Sequence, residues 1–135
     1  MGNRAVITRS RELDSKAIGV YLHWHGGRQW VEAFLKYCEL QQYRTDDYGW
    51  ANLCKVIGNF FEDGLSLGID TLDHLDCDNY DNGVYIIKDW EIVDRKFFNG
   101  QEENHYPLYE QLEVINNCMP EAQRLPEEML LMYKA

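Results

Sequence analysis

The sequence predicts an α+β fold: an antiparallel sheet of about four strands with helices largely on one face, in a single domain spanning residues 1–135. Three observations carry this reading. Two short alternating stretches stand at the N-terminus. Two stretches with apolar residues at three- and four-residue steps follow them. The same order, two strands then two helices, recurs in the second half, so the elements run strand, strand, helix, helix, strand, strand, helix, helix.

Arg4–Thr8 alternates and reads as a strand, and the polar Arg9–Lys16 as a loop. Ala17–Trp24 is the clearest strand of the first half. Its alternation sets Ile18, Val20, Leu22 and Trp24 on one face and Tyr21 and His23 on the other. The short connection favours antiparallel pairing with Arg4–Thr8. His25-Gly26-Gly27 breaks this strand. Gln29–Gln42 reads as a helix whose stripe is Trp30, Val31, Phe34, Leu35 and Cys38. Tyr48–Phe61 reads as a second helix, capped by Asp46 or Asp47 and stopped by Gly64.

Leu65–Asp70 is ambiguous, and Asp70–Gly83 reads as a long acidic loop closed by the turn signal Asp81-Asn82-Gly83. Val84–Ile87 and Trp90–Val93 are strands. A tight hairpin between them places Tyr85, Ile87, Trp90 and Ile92 on one face; one bent strand would instead align Val84, Ile86, Trp90 and Ile92. Asn99–His105 is a polar connector. Pro107–Cys118 suits a helix with Leu108, Leu112 and Ile115 inward, ended by Pro120. Pro126 suits the first turn of a last helix.

Composition narrows the class. Hydrophobic residues make up 45% of the chain, enough for a core and too many for a disordered segment. The sequence has no apolar run of transmembrane length and no apolar signal-peptide core, so a membrane partner is not expected. Cys38, Cys54, Cys77 and Cys118 form no Cys-x-x-Cys pair, which fits reduced thiols in a cytoplasmic protein.

Charge is distributed unevenly. Thirteen basic and 23 acidic residues give −10. Residues 1–55 hold eight Lys/Arg and six Asp/Glu, a balance of +2, whereas residues 56–135 hold five and 17, a balance of −12. No basic residue lies between Lys55 and Lys88, while that stretch carries Glu62, Asp63, Asp70, Asp73, Asp76, Asp78 and Asp81. Such a surface repels nucleic acid and favours a basic protein partner. Asp70, Asp73, Asp76, Asp78 and Asp81 are therefore the candidate partner-binding residues. With no cation near them in sequence, Asp73, Asp76, Asp78 and Asp81 are expected to be solvent-exposed and replaceable at little cost to folding.

Other sites are weaker in pattern. His23-x-His25 sets two imidazoles on one strand, but no neighbouring ligand completes a metal set, and an exposed strand histidine followed by a turn histidine explains both. Gly26-Gly27-Arg28 lies between a strand and a helix; with His23 and Tyr21 it forms the candidate anion site of the alternative reading, a pocket for a phosphorylated small molecule serving as a sponge or minor hydrolase. Aligning Gly83 with the glycine of a calcium-binding loop puts Tyr80 at the third ligand position, which breaks that pattern. Cys38 and Cys54 sit on apolar helix faces, and Cys77 lies among aspartates that raise a thiol pKa. No catalytic residue, cofactor or metal is assigned, and the reading leans against an enzyme.

Met1-Gly-Asn-Arg-Ala-Val-Ile-Thr8, Ile18-Gly-Val-Tyr-Leu-His-Trp24, Gly26-Gly27-Arg28 and Asn82-Gly-Val-Tyr-Ile-Ile-Lys-Asp-Trp-Glu-Ile-Val93 resemble a group of small uncharacterised acidic proteins. Phages and mobile elements of Gram-positive, Clostridia-like bacteria encode that group. The likeness spans about residues 1–98, and relatives often carry Asn or Asp in place of His25. It implies an accessory protein of a mobile element, acting in a bacterial host. Joined to the acidic stretch, it leads to the expectation of an inhibitor of a host nucleic-acid-handling defence complex, an anti-CRISPR-like protein or DNA mimic that occupies a basic channel. A phage structural or assembly component is the third possibility.

Overall fold

The computed structural model describes residues 2–62, 64–100, 102 and 105–134. Asp63 of the basic-free stretch, and Gln101, Glu103 and Asn104 of the polar connector, lie outside the described residues. The fold is α+β, with strands β1 (Ala5–Thr8), β2 (Ile18–Leu22), β3 (Leu67–Thr71), β4 (Val84–Lys88) and β5 (Glu91–Lys96). Four helices accompany them: α1 (Arg28–Leu40), α2 (Asp47–Phe61), α3 (Leu108–Cys118) and α4 (Glu127–Leu131).

The sheet departs from the expected one in two respects. It has five strands in the order β3-β2-β1-β4-β5, and it is mixed, because β1 and β4 run parallel. The additional strand is Leu67–Thr71, which pairs antiparallel with β2. Gly68 and Asp70, both poor strand formers, fill its alternate positions and leave only Leu67 and Ile69 as an apolar signal, which hides it in the sequence. The parallel pair follows from the route of the chain. Strands β1, β2 and β3 alternate in direction, so β3 runs with β1, and the connector 72–83 returns the chain to the same end before β4 begins.

The pairing of β1 with β2 is antiparallel as expected, with Ala5 opposite Leu22 and Thr8 opposite Gly19. Strands β4 and β5 form a tight hairpin with Lys88 opposite Glu91. Its two central residues, Asp89 and Trp90, hold φ of 50° and 67°, the primed-turn geometry that matches strand twist. Lys88 is therefore spared the left-handed conformation. Tyr85, Ile87, Trp90 and Ile92 share the helix-covered face.

The pleat divides the core in two. Ala5, Ile7, Val20, Leu22, Tyr85 and Ile87 pack beneath the helices with Val31, Phe34, Leu53, Ile57, Leu112 and Ile115. Val6, Val84 and Ile86 point to the opposite face, where Leu72, Leu75, Leu13, Ala17 and Tyr21 cover them. Helices thus lie on one face and loops on the other. Asp46 caps α2, its carboxylate accepting from the Tyr48 amide at 3.1 Å. That helix ends with Glu62 in the left-handed conformation, ahead of the expected stop at Gly64. Among the described residues no helix is long and apolar enough to cross a membrane.

One buried amide helps to hold the C-terminal segment, together with the burial of Leu125 and Leu130. Asn116 Oδ1 accepts from the Tyr37 hydroxyl at 2.6 Å and the Leu125 amide at 2.8 Å, and its Nδ2 donates to the Leu125 carbonyl at 3.1 Å. Replacing Asn116 with Ala leaves the Leu125 amide and carbonyl without these partners and the Tyr37 hydroxyl without its acceptor, although that hydroxyl still accepts from Gln41 Nε2 at 3.1 Å. We expect Asn116→Ala to lower stability by about 2–3 kcal/mol in urea denaturation, with a loss under about 0.5 kcal/mol showing that the tether is dispensable.

Candidate functional site

The acidic connector between β3 and β4 is a tied structure with two anchors. At its start, a short 3-10 turn at Leu72–His74 buries Leu72 and brings Asp73 to Lys16, whose ammonium donates to the carboxylate at 2.9 Å. Hydrogen bonds from Thr71 and then from Lys16 hold the Asp73 carboxyl down at about 2. His74 Nδ1 faces both Asp70 and Asp73, at 3.4 and 3.8 Å. The Asp70 carboxyl is lowered as well, first by the Thr71 amide that donates to it.

At its end, Asp81 Oδ2 accepts from both the backbone amide and the Nε of Arg4, at 3.0 and 2.8 Å. Partial burial pushes the Asp81 carboxyl up, but the Arg4 bonds outweigh it and the net shift is downward. Asn82 continues the contact with the N-terminal strand, donating from Nδ2 to Asn3 Oδ1 at 2.6 Å and to the Arg4 carbonyl at 3.1 Å. Gly83 closes the loop with φ of 71°; a side chain there would begin 2.1 Å from the Lys96 carbonyl oxygen.

Asn79 organises the interior of the loop. It is buried; its Oδ1 accepts from the amides of Asp81 and Gly83, and its Nδ2 donates to the carbonyls of Asp76 and Gly83. What this framework holds outward is Tyr80. Its side chain is 90% exposed on a backbone with φ of 63°. A non-glycine residue in that region costs about 1 kcal/mol or more, which the surrounding bonds offset. Asp76 and Asp78 precede it in the loop, both exposed. Asp76 lies 3.5 Å from Arg4, and Asp78 has no ion-pair partner among the described residues.

The five candidate aspartates therefore fall into two groups. Asp73 is exposed as expected and Asp81 only partly so, but both are anchors, paired with the distant cations Lys16 and Arg4, which corrects the expectation that they are replaceable at little cost. Asp70, Asp76 and Asp78 are presented to solvent. Three residues that matter were not picked out in the sequence: Arg4, Asn79 and Tyr80. Only Tyr80 carried a signal there, as a large aromatic placed among aspartates in a turn-rich segment.

The glycine turn is built differently from an anion cradle. Gly26 is buried with its amide donating to the Asn3 carbonyl at 2.8 Å, and a Cβ there would lie 2.4 Å from that oxygen. Its own carbonyl accepts from the Tyr85 hydroxyl at 2.7 Å. Tyr85 in turn accepts from Arg95, which also reaches the Asn82 carbonyl, lies over Phe98 at 3.5 Å and pairs with Glu102. Gly26 is thus a packing residue. Gly27 caps α1 without a side-chain bond, and Arg28 lies 3.7 Å from Glu32. Tyr21 belongs to the opposite sheet face, where its hydroxyl shares a 3.0 Å hydrogen bond with His23 Nδ1. Two clefts meet Gly27, one of about 230 Å³ lined by Asn3, Trp24, His25, Gln29, Trp30 and Tyr106 and one of about 330 Å³ on the side of Asp81, Asn82 and Phe98, and neither includes Tyr21 or His23.

His25 packs edge-on against Trp30 and Phe60, and burial lowers its pKa. Among the described residues no group of three His, Cys, Asp or Glu side chains is placed to hold a metal ion. Burial raises all four cysteine thiols.

Fold and site together define an α+β domain that carries a braced, acidic, tyrosine-tipped loop on its helix-free face. Comparison with protein families, curated proteins and solved structures finds no match.

Two expectations follow for stability. Asp81→Asn should cost about 1 kcal/mol, the value of a charged hydrogen bond discounted for solvent, while Asp78→Asn should stay within about 0.5 kcal/mol. Equal effects in a urea titration would deny the division into anchors and presented groups. The second concerns acid. A carboxyl whose folded value lies below its ordinary one stabilises fully above about pH 4, and that contribution disappears as pH falls to about 2. The wild type should therefore lose stability more steeply than Asp73→Asn across this window. Parallel curves would remove the role given to Lys16 and Thr71.

Proposed function

We propose that this chain is a non-enzymatic binding protein that docks its acidic loop on a basic surface of a partner protein. The single observation behind this reading is the held presentation of Tyr80 in the same short loop as the exposed Asp76 and Asp78. Tyrosine is favoured at the centres of protein interfaces because it offers a large contact area at low entropy cost. Its ring also receives a guanidinium by cation–π contact, which suits an arginine-rich surface. The bonds of Asn79 and the two anchors supply the order in advance, so less freedom is lost on binding. The excess of negative charge steers the encounter and makes the complex sensitive to salt.

The sequence resemblance to phage and mobile-element proteins supports a particular partner: a host nucleic-acid-handling defence complex whose basic channel this loop occupies. In that role the chain acts as an inhibitor of the anti-CRISPR or DNA-mimic kind, with Asp76 and Asp78 standing where phosphates lie.

The test is affinity capture from the lysate of a Gram-positive bacterium at low and high salt, read by mass spectrometry. The wild type is compared with the triple variant Asp76→Asn, Asp78→Asn, Tyr80→Ala. The expected result is a basic nucleic-acid-binding protein retained at low salt, released at high salt and lost from the variant, whose urea midpoint is unchanged. Retention of the same proteins by the variant, or of no basic protein at low salt, would count against the reading.

A further inference from the structure

The chain contains two Asn-Gly steps, Asn82-Gly83 and Asn99-Gly100. A glycine has no β-carbon to shield its amide nitrogen, so the side chain of a preceding asparagine can fold back onto it. The fold treats the two steps differently.

Asn82-Gly83 is locked. Asn82 is buried, its Nδ2 donates to Asn3 Oδ1 and to the Arg4 carbonyl, and its Oδ1 accepts from Arg95 Nη2 at 3.3 Å. The Gly83 amide donates to Asn79 Oδ1 at 3.0 Å. The carboxamide cannot turn, nor the nitrogen be released, without breaking the framework of the loop. Asn99-Gly100 is open. It lies just past β5, exposed, outside any helix or strand. Among the described residues, neither the Asn99 carboxamide nor the Gly100 amide has a hydrogen-bond partner. The only described atoms that a Cβ on Gly100 would meet belong to the Phe98 ring, 3.2 Å away.

We infer that Asn99 is a site of spontaneous covalent modification: its side chain closes on the Gly100 nitrogen and ends as aspartate and isoaspartate, while the fold preserves Asn82 in an identical step. The Gly100 amide loses its proton to hydroxide, and its nitrogen attacks Asn99 Cγ. A C–N bond forms to that nitrogen, the bond from Cγ to Nδ2 breaks, and ammonia leaves carrying a proton from water. The five-membered imide then takes up one water at either carbonyl. Opening at one restores the ordinary backbone with an aspartate. Opening at the other leaves isoaspartate, whose side-chain carbon has entered the main chain. In sum, a carboxamide and one water become a carboxylic acid and ammonia, with no oxidant, reductant or cofactor. The acid ionises at neutral pH, so a chain that carries −10 gains one more negative charge. The preceding residue, Phe98, lies against the Arg95 guanidinium at 3.5 Å, so the lengthened backbone falls between that anchor and α3. The site stands apart from the acidic loop and is independent of the binding reading above.

The test is to hold the full chain for days at mildly alkaline pH, folded and in urea, and to follow both steps by peptide mass spectrometry. Replacement of –NH2 by –OH gives the mass gain that marks each site. In the digested peptides, transfer of a labelled methyl group from S-adenosylmethionine by an L-isoaspartate methyltransferase reports the isoaspartate. In the folded chain Asn99 should convert at least about a hundredfold faster than Asn82, which reacts only in molecules whose loop has opened. In urea the two rates should agree within about twofold, because no framework survives there. Gly100 does not hold a left-handed φ, so Gly100→Ala keeps the fold, and it should slow conversion of Asn99 about tenfold by shielding the nitrogen. Asn99 that persists in the folded chain while it converts in urea would overturn the inference. So would equal rates at Asn82 and Asn99 in the folded chain, or a mass gain at Asn99 with no methyl acceptance, which would exclude the imide.

Discussion

One carboxylate oxygen carries much of this architecture. Asp81 Oδ2 receives the amide and the guanidinium of Arg4, joining the start of β1 to the end of the connector that precedes β4. β1 and β4 are parallel neighbours, and a parallel pair has no short turn to set its register. The Asp81–Arg4 contact, extended by Asn82 to Asn3 and by the Val6 amide to the Gly83 carbonyl, does that work. It also fixes where the acidic loop emerges, on the face that the helices leave uncovered.

The charge of the chain takes on a different meaning in this light. A balance of −12 over residues 56–135 suggests repulsion along a free loop. The folded chain instead uses cations from the N-terminal part to brace it, with Arg4 and Lys16 each reaching across. Bracing neutralises some of the acid and orders the rest. The net effect is a smaller set of carboxylates presented to solvent, Asp76 and Asp78, in the same loop as the exposed Tyr80. The nearby Arg95 stays inside, tied to Asn82, Tyr85 and Glu102, and through Tyr85 it steadies the Gly26 turn.

The parts of this structure that rest on local pattern were legible in the sequence. The β1–β2 pair, the stripes of α1 and α2, and the proline limits of α3 and α4 follow from alternation, periodicity and caps. The parts that rest on distant contacts were not. Gly68 and Asp70 conceal β3, because an edge strand does not need a full apolar face. The parallel β1–β4 pairing depends on a crossover that no local signal encodes. Asp89 and Trp90 adopt a primed turn without the usual glycine, since Trp90 gains a place in the core and a bond from Nε1 to the Tyr43 carbonyl. At the site, the acidic loop was evident, but its anchors lie 77 and 57 residues away, and only the fold brings them together.

The central claim is that the loop is a held platform and not a free acidic strand of chain. Backbone ¹⁵N relaxation on residues 76–82 tests this most directly. The account predicts order parameters of about 0.85, matching the strands of the sheet, with a fall in this segment when Asp81 is replaced by Ala. Values below about 0.6 in the wild-type loop, typical of flexible backbone, would contradict it.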